Sequence, residues 1–138
     1  MAVTGYRNGG ARSFYLNTGQ GFVANGYVGI AGDGSSTLAV NVCPFVVPAP
    51  GIIKYLRVFG LANTPGSVTC AIYRSARAVS PSYSTTGLTV TLSSSTFDGG
   101  DTTHSYRVVA GDLLVGFTSA AWSANGGAIS CLYIPDIV

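Results

Sequence analysis

Charged residues are scarce in this chain of 138 residues, and glutamate is absent. Lysine occurs once, at Lys54, and charged residues make up 9% of the chain, against roughly 25% in an ordinary soluble domain. Glu and Lys are favoured on exposed helix faces, so their scarcity argues against surface helices. A surface with so little charge is normally covered by partners, which favours a protein that assembles.

Other absences exclude further classes of protein. No apolar run approaches the roughly 20 residues of a membrane span, and residues 1–10 lack the apolar segment of a signal peptide. The three cysteines, Cys43, Cys70 and Cys131, are odd in number and form no CxxC pair. We therefore expect no disulfide framework, no metal site and no cofactor. The simplest interpretation is three small core residues with reduced thiols.

The positive charge is confined to the first part of the chain. The net charge of +2 is too small to indicate nucleic acid as a partner. Residues 1–32 carry Arg7 and Arg12 with no acidic residue, and the rest of the chain is neutral. Residues 1–20 also contain irregularly spaced Gly and Asn, which predicts an extended N-terminal arm.

The remaining sequence is rich in Gly, Ser, Thr, Val and Tyr, the residues of strands and turns. Alternating apolar residues between turn signals predict about eight strands, at 21–31, 37–47, 52–62, 67–75, 88–94, 104–110, 113–119 and 128–134. This pattern predicts an all-β fold, an eight-stranded jelly-roll sandwich over residues 21–138. A seven-stranded immunoglobulin-like sandwich is the alternative, but Trp122 does not lie between two spaced cysteines.

The only histidine, His104, is the most obvious candidate for catalysis. Asp101 precedes it by three residues and Asp112 follows it by eight, yet the sequence places neither to orient the imidazole. There is no GxSxG motif, and the five aspartates form no convincing pair for glycoside hydrolysis. We expect a hydrogen-bonded histidine at a strand start, an Asp112 that braces the following turn, and no enzymatic activity. The eight Tyr and six Arg suit either a binding face or ordinary strand positions at the core margin.

Two stretches resemble structural proteins of tailed bacteriophages. These are "FVVPAPGIIKYLRVFGLANTPGSVTCAIYRS" and, further on, "LTVTLSS" with "DTTHSYRVVAGDLLVGF". The resemblance covers residues 45–134, with "VVAGDLLVGF" as its most specific part. The chain departs from the family's pattern at "YRSARAV", where a tight Asn-Gly turn would be expected. These phage domains are similar to the jelly roll of the tumour-necrosis-factor and complement-C1q type.

The resemblance implies a viral structural protein that forms a homotrimer. It would be a capsid decoration, or cement, protein that clamps the major capsid protein on a phage head. It would be located at the capsid surface of the virion, assembled in the host cytoplasm, with neither nucleic acid nor membrane as a partner. The alternative is the receptor- or glycan-binding tip of a tail or head fibre, with Tyr- and Trp-containing loops as the binding elements.

The residues of the arm predict how it would attach to partners. Arg7 and Arg12 suit an acidic groove, and Phe14, Tyr15 and Leu16 form a short apolar anchor. We expect the jelly roll to fold without residues 2–16. If the arm is dispensable for binding, the loops at 75–87 and 95–103 are the next candidates.

Overall fold

The alternating sequence produces two antiparallel β-sheets that pack face to face. The computed structural model describes residues 12–18, 22–30, 35–36, 42–123 and 126–136, and no helix occurs within these ranges. Its ten strands are β1 (Arg12–Thr18), β2 (Gly26–Val28), β3 (Ser35–Ser36), β4 (Phe45–Val46), β5 (Gly51–Gly60), β6 (Val68–Ser75), β7 (Ser84–Leu92), β8 (Asp98–Val108), β9 (Leu113–Thr118) and β10 (Gly127–Pro135). Eight of these have three residues or more, and β3 and β4 have two each.

The strand order is that of a jelly roll. One sheet has the order β1-β10-β5-β8, and the other has the order β3-β2-β9-β6-β7, with β4 also paired to β9. Among the eight longer strands the first pairs with the last (β1 with β10), the second with the seventh (β2 with β9), the third with the sixth (β5 with β8) and the fourth with the fifth (β6 with β7). This nesting of antiparallel pairs is what a long hairpin produces when it rolls up into two sheets. The predicted fold class is therefore confirmed.

The core lies between the inner faces of the two sheets. Strand periodicity places alternate side chains inside, and the largest fully buried ones are aliphatic: Ile53, Leu56, Ile72, Leu88, Leu114, Ile129, Val28, Val47, Val58, Val68 and Val108. In β5 the inward residues Ile53 and Leu56 are three positions apart. A bulge between Lys54 and Leu56 shifts the register there, and Tyr55 adopts a positive φ of 59° and faces outward.

Several predicted boundaries differ from the structure. The loop expected at 75–87 ends earlier, since β7 begins at Ser84. The loop expected at 95–103 is shorter still, because β8 begins at Asp98. His104 is therefore not at a strand start but within β8. In both places the sequence is rich in Ser, Thr and Gly, which suit an exposed edge strand as well as a turn. A turn directly before β2 ends at Asn25, which adopts a φ of 49°.

The predicted N-terminal arm contributes a strand to the four-stranded sheet. Arg12–Thr18 forms β1, which pairs antiparallel with β10 over its whole length. Deleting residues 2–16 would remove five of its seven residues, so a shorter deletion is needed to test the arm without removing β1. Residues 1–11 and 19–21 lie outside the described residues, and the boundary after residue 20 stays a prediction.

The three thiols differ in their surroundings. Cys70 and Cys131 are buried in the core, as expected, whereas Cys43 is exposed, so the expectation of three core cysteines is wrong for Cys43. Burial raises the pKa of Cys70 to about 11 and that of Cys131 to about 12. The described residues include no helix long and apolar enough to cross a membrane.

Candidate functional site

Four features of the described surface could carry a function: a groove at one end of the sandwich, the loop at the other end, an aliphatic sheet face and a cluster of aromatic rings. The ends are defined by the strands. The segments that follow β5, β7 and β9 all lie at one end, and the segments that follow β6 and β8 lie at the opposite end.

The end groove consists of two adjoining cavities of about 420 Å³ and 460 Å³ that share Ala62 and Asn63. Phe59, Leu61 and Phe97 line the first cavity and are between 47% and 60% exposed. The Phe59 and Phe97 rings meet edge to face, with their centroids 5.9 Å apart. Exposed aromatic and aliphatic side chains in one concave site are typical of binding surfaces.

The floor of the second cavity is fixed by Trp122, which stacks on Phe22 at a centroid distance of 5.0 Å. Their backbones also exchange two hydrogen bonds, of 3.0 Å and 3.1 Å. The indole lies directly over Gly60, where any side chain would overlap its six-membered ring. Its Nε1 is buried and has no hydrogen-bond partner among the described residues. Trp122 is thus a packing residue of the groove floor, not an exposed residue of a binding loop as the fibre-tip alternative expected.

Hydrogen bonds to backbone groups hold the loops around the groove. The Thr64 N–H donates to the Thr96 carbonyl at 2.7 Å, and its hydroxyl donates to the Ser93 carbonyl at 2.8 Å. The hydroxyl of Ser123 accepts a hydrogen bond of 2.6 Å from the Leu61 N–H. The groove is therefore built on braced loops and is preformed.

The loop at the opposite end, residues 76–83, projects from the sandwich. Residues 76–80 are all exposed, and Val79 at its tip is fully exposed. The base of the loop is fixed because the buried Ser75 hydroxyl accepts a hydrogen bond of 3.0 Å from the Ser82 N–H. Arg77 lies over Gly111, which adopts a φ of 89° in the adjacent turn.

The turn between β8 and β9 is braced by Asp112, as the sequence predicts. Its buried carboxylate accepts a hydrogen bond of 2.9 Å from the Val109 N–H. It also forms an ion pair with Arg74 at 2.6 Å, and this hydrogen-bonded ion pair raises the pKa of the guanidinium. The role of Arg74 was not visible in the sequence, because 38 residues separate it from Asp112.

His104 and Asp101 form a second ionisable pair, at the bulge between β5 and β8. The His104 Nδ1 lies 2.8 Å from Asp101 Oδ2, so the expectation that neither aspartate orients the imidazole is wrong for Asp101. Burial by itself would raise the pKa of Asp101, which is 6% exposed. Hydrogen bonds from the backbone N–H groups of Thr103, Thr89 and His104, and from the imidazole, outweigh burial and lower that pKa well below its ordinary value.

This pair lies at the bulge between β5 and β8. Lys54 pairs with Ser105, and Leu56 pairs with Asp101. One residue of β5 therefore lies opposite three residues of β8, so β8 carries two extra residues. The His104 side chain is 62% exposed. Its Nδ1 also lies 3.1 Å from the Thr103 hydroxyl, and its Nε2 has no hydrogen-bond partner in the described part of the chain. Nor do the described residues contain a cluster of three metal-ligating side chains.

The aromatic cluster lies on the outer face of the six-stranded sheet and consists of Tyr27, Tyr73, Tyr83 and Phe117. Tyr73 stacks on Phe117 at 4.6 Å, and Tyr27 contacts the other three rings at 5.7–6.0 Å. Strand register explains why these rings lie together. Phe117 lies opposite Tyr27 on β2 and opposite Ala71 on β6, and Tyr73 is two residues from Ala71, on the same face of β6. All four rings are half-buried, which places these tyrosines at a surface and not in the core.

The anchor residues predicted from the sequence are placed only as positions in β1. Arg12 pairs with Tyr133, Phe14 with Cys131, Tyr15 with Ser130 and Leu16 with Ile129. Arg7 lies outside the described residues, so the predicted anchor stays a prediction.

The sequence alone did not indicate the residues of the end groove, although one of them, Phe97, stands out in it. Phe97 is a single aromatic residue in the polar stretch "STFDGG", and this stretch belongs to one of the two loops named as alternative sites.

No protein-family model matches the chain, and no curated protein matches its sequence. Among solved structures it is similar to the globular domain of a zebrafish complement 1qA protein, with 13% sequence identity and a TM-score of 0.49. The match covers 88% of this chain and 95% of that one. The jelly-roll assignment rests on the strand order of this chain itself.

Proposed function

We propose that this chain is a viral structural protein, a homotrimeric capsid decoration protein that stabilises a phage head by binding the major capsid protein at the capsid surface. The observation that carries the proposal is the aliphatic outer face of the four-stranded sheet. Ile52, Leu132 and Ile134 alternate with buried Ile53 and Tyr133, so they face away from the core. Antiparallel sheets normally place polar residues on such a face when it meets water.

Register groups the three aliphatic side chains at one end of this face. Ile52 lies opposite Ile134 on β10 and opposite Arg107 on β8, and Leu132 lies opposite Lys54 in the next outward pair. Copies arranged about a threefold axis would cover it, which accounts for the low charge of the chain. The phage context comes from the sequence resemblance over residues 45–134.

Sedimentation velocity at micromolar concentration tests the trimer. We expect a mass three times the 14.1 kDa of the chain. Leu132→Glu places a charge on the aliphatic face and is expected to release monomers. Thr91→Glu, on the exposed outer side of β7, is the matched control and is expected to remain trimeric. A monomeric wild-type chain, or a trimeric Leu132→Glu variant, would contradict the proposed interface.

The decoration role is tested by the copy number of the chain in purified virions. Quantitative mass spectrometry should find a number comparable to that of the major capsid protein. The proposed anchor is tested with emptied capsids and a chain that lacks residues 2–11, which keeps β1. We expect weaker attachment than for the full chain, and equal attachment would exclude Arg7 and its neighbours as an anchor.

A second candidate function, the receptor- or glycan-binding tip of a fibre, is favoured by the aromatic cluster. Its tyrosines are half-buried and combine an apolar ring with a hydroxyl group, which suits the recognition of an amphipathic ligand such as a sugar. A copy number of only a few per virion would support this function. In that case Tyr73→Ala should abolish binding of the purified protein to host cells, and Thr91→Ala should leave it unchanged.

A further inference from the structure

We infer that copies of this protein associate head to tail, with the 76–83 loop of one copy seated in the end groove of the next. The contact is heterologous, because it joins two different surfaces of the same chain. It uses residues other than those of the proposed trimer. Phe59 and Asp98 lie on the outer side of the same sheet, but at the opposite end of β5 from Ile52.

The loop and the groove lie at opposite ends of the sandwich. β5 runs between the two ends, and its ten residues span about 30 Å at roughly 3.3 Å per residue. The end groove opens beside Gly60, where β5 finishes. The projecting loop lies beside the turn at Gly111, next to the other end of β5. Because the projection and the cavity lie at opposite ends, the same contact can repeat from one copy to the next, each copy being related to its neighbour by the same rotation and translation.

The loop and the groove are complementary in shape and polarity. The tip of the loop is a fully exposed Val79 on a base fixed by Ser75, so little ordering is required on binding. The first cavity, of about 420 Å³, is larger than one aliphatic side chain and is lined by Phe59, Leu61 and Phe97. Aromatic residues around an apolar insertion are typical of the energetic centre of an interface.

The loop and the groove also carry opposite charges, Arg77 on the loop and Asp98 beside the groove. Asp101, Asp112 and Asp136 each have a basic partner within 4 Å. Among the described residues Asp98 is the carboxylate that has none, and it lies opposite Phe59 at the edge of the groove. Arg77, two residues before Val79, is likewise without an ion pair within the described ranges. The loop therefore offers a cation and an apolar tip, and the groove offers an anion beside an apolar cavity.

The inference predicts species larger than the basic oligomer. In sedimentation velocity at low ionic strength, we expect the wild-type protein to form multiples of that unit as concentration rises. Added salt should weaken this association, because Arg77 and Asp98 are exposed. A single species from micromolar to millimolar concentration would overturn the inference.

Charge reversal tests the pairing directly. Arg77→Asp and Asp98→Arg should each weaken the association at least roughly tenfold, because each places like charges together. The double variant Arg77→Asp/Asp98→Arg should restore it. Weakening by both single variants without recovery in the double variant would show that the two residues do not meet.

Apolar substitutions provide the second test. Val79→Glu should abolish the association, while the matched control Thr91→Glu should not change it. The Leu132→Glu variant separates this inference from the proposed trimer, since it should release single chains that still associate end to end. If Val79→Glu associates like the wild type, the loop does not fill the groove and the inference is wrong.

Discussion

Replacement of Asp101 is expected to destabilise the protein more than replacement of any other carboxylate in the described ranges. Asp101 is almost completely buried and accepts hydrogen bonds from the N–H groups of Thr103 at 2.9 Å, His104 at 3.1 Å and Thr89 at 3.2 Å. The Thr103 hydroxyl and the imidazole complete its contacts. These bonds join β8 to β7 and hold the two extra residues of the bulge.

The expected loss in the free energy of unfolding follows from these hydrogen bonds. Hydrogen bonds to a charged group contribute roughly 1.5–3 kcal/mol each, but the donors of Thr89, Thr103 and His104 belong to exposed residues and regain water when the carboxylate is removed. We therefore expect Asp101→Ala to lower the free energy of unfolding by about 3 kcal/mol. Asp101→Asn keeps one acceptor oxygen and should cost about half as much. Asp98→Asn, three residues earlier on an exposed side chain, is the matched control and should lie within about 0.5 kcal/mol of the wild type.

Urea unfolding followed by the fluorescence of the single tryptophan, at fixed protein concentration, measures these differences. The pH dependence gives an independent check. Since the pKa of Asp101 is lowered in the folded state, its contribution is fully present above the unfolded pKa of about 3.9. It is lost as pH falls through the lower folded pKa. The penalty of Asp101→Asn should thus be equal at pH 7 and pH 5 and shrink only below about pH 4.

Two results would refute this reasoning. The first is an Asp101→Ala variant as stable as Asp98→Asn, which would mean that the bulge does not depend on the carboxylate. The second is a penalty that already disappears between pH 7 and pH 5, which would mean that burial raises the pKa of Asp101 more than its hydrogen bonds lower it.

Three further predictions follow from packing and burial. Gly60→Ala should destabilise the fold by roughly 2 kcal/mol, because the new Cβ would overlap the Trp122 indole. The control Gly66→Ala has open space around it and should be neutral. Thermal unfolding of the two variants measures this difference. His104→Ala should cost no more than about 1 kcal/mol, because the imidazole is largely exposed, and a larger loss in urea unfolding would give it a structural role. A thiol-reactive dye should label only Cys43 in the folded protein and all three cysteines in urea, since burial raises the pKa of the other two thiols; a cysteine that stays unlabelled in urea would indicate a disulfide.

The strand content and fold class were readable from the sequence because they depend on local patterns. Alternation in "SVTCAIYRS" and "LTVTLSS" corresponds to β6 and β7, and their inward residues Val68, Ile72 and Leu88 are fully buried. The bracing role of Asp112 was readable for the same reason, since the Val109 N–H that it binds lies three residues away. The start of β8 was not, because "FDGGDTT" has no alternation and becomes a strand by pairing with β5.

The surfaces depend on residues that are distant in the chain, and so the sequence did not reveal them. The end groove combines segments that follow three different strands, and the aromatic cluster joins Tyr27, Tyr73 and Phe117 across β2, β6 and β9. The ion pair between Arg74 and Asp112 and the orientation of His104 by Asp101 also required the folded chain.

The sequence by itself determined an all-β chain with little charge, because period-two alternation and the scarcity of charged residues can be read from short stretches without knowing which residues meet. The tertiary structure decided which residues meet. Sheet register places Ile52 beside Ile134, and the nesting of eight strands sends the groove and the 76–83 loop to opposite ends. Register is set by the burial of a whole sheet face and by the bulge at Asp101, and these are sums over many distant contacts that no short stretch of sequence contains.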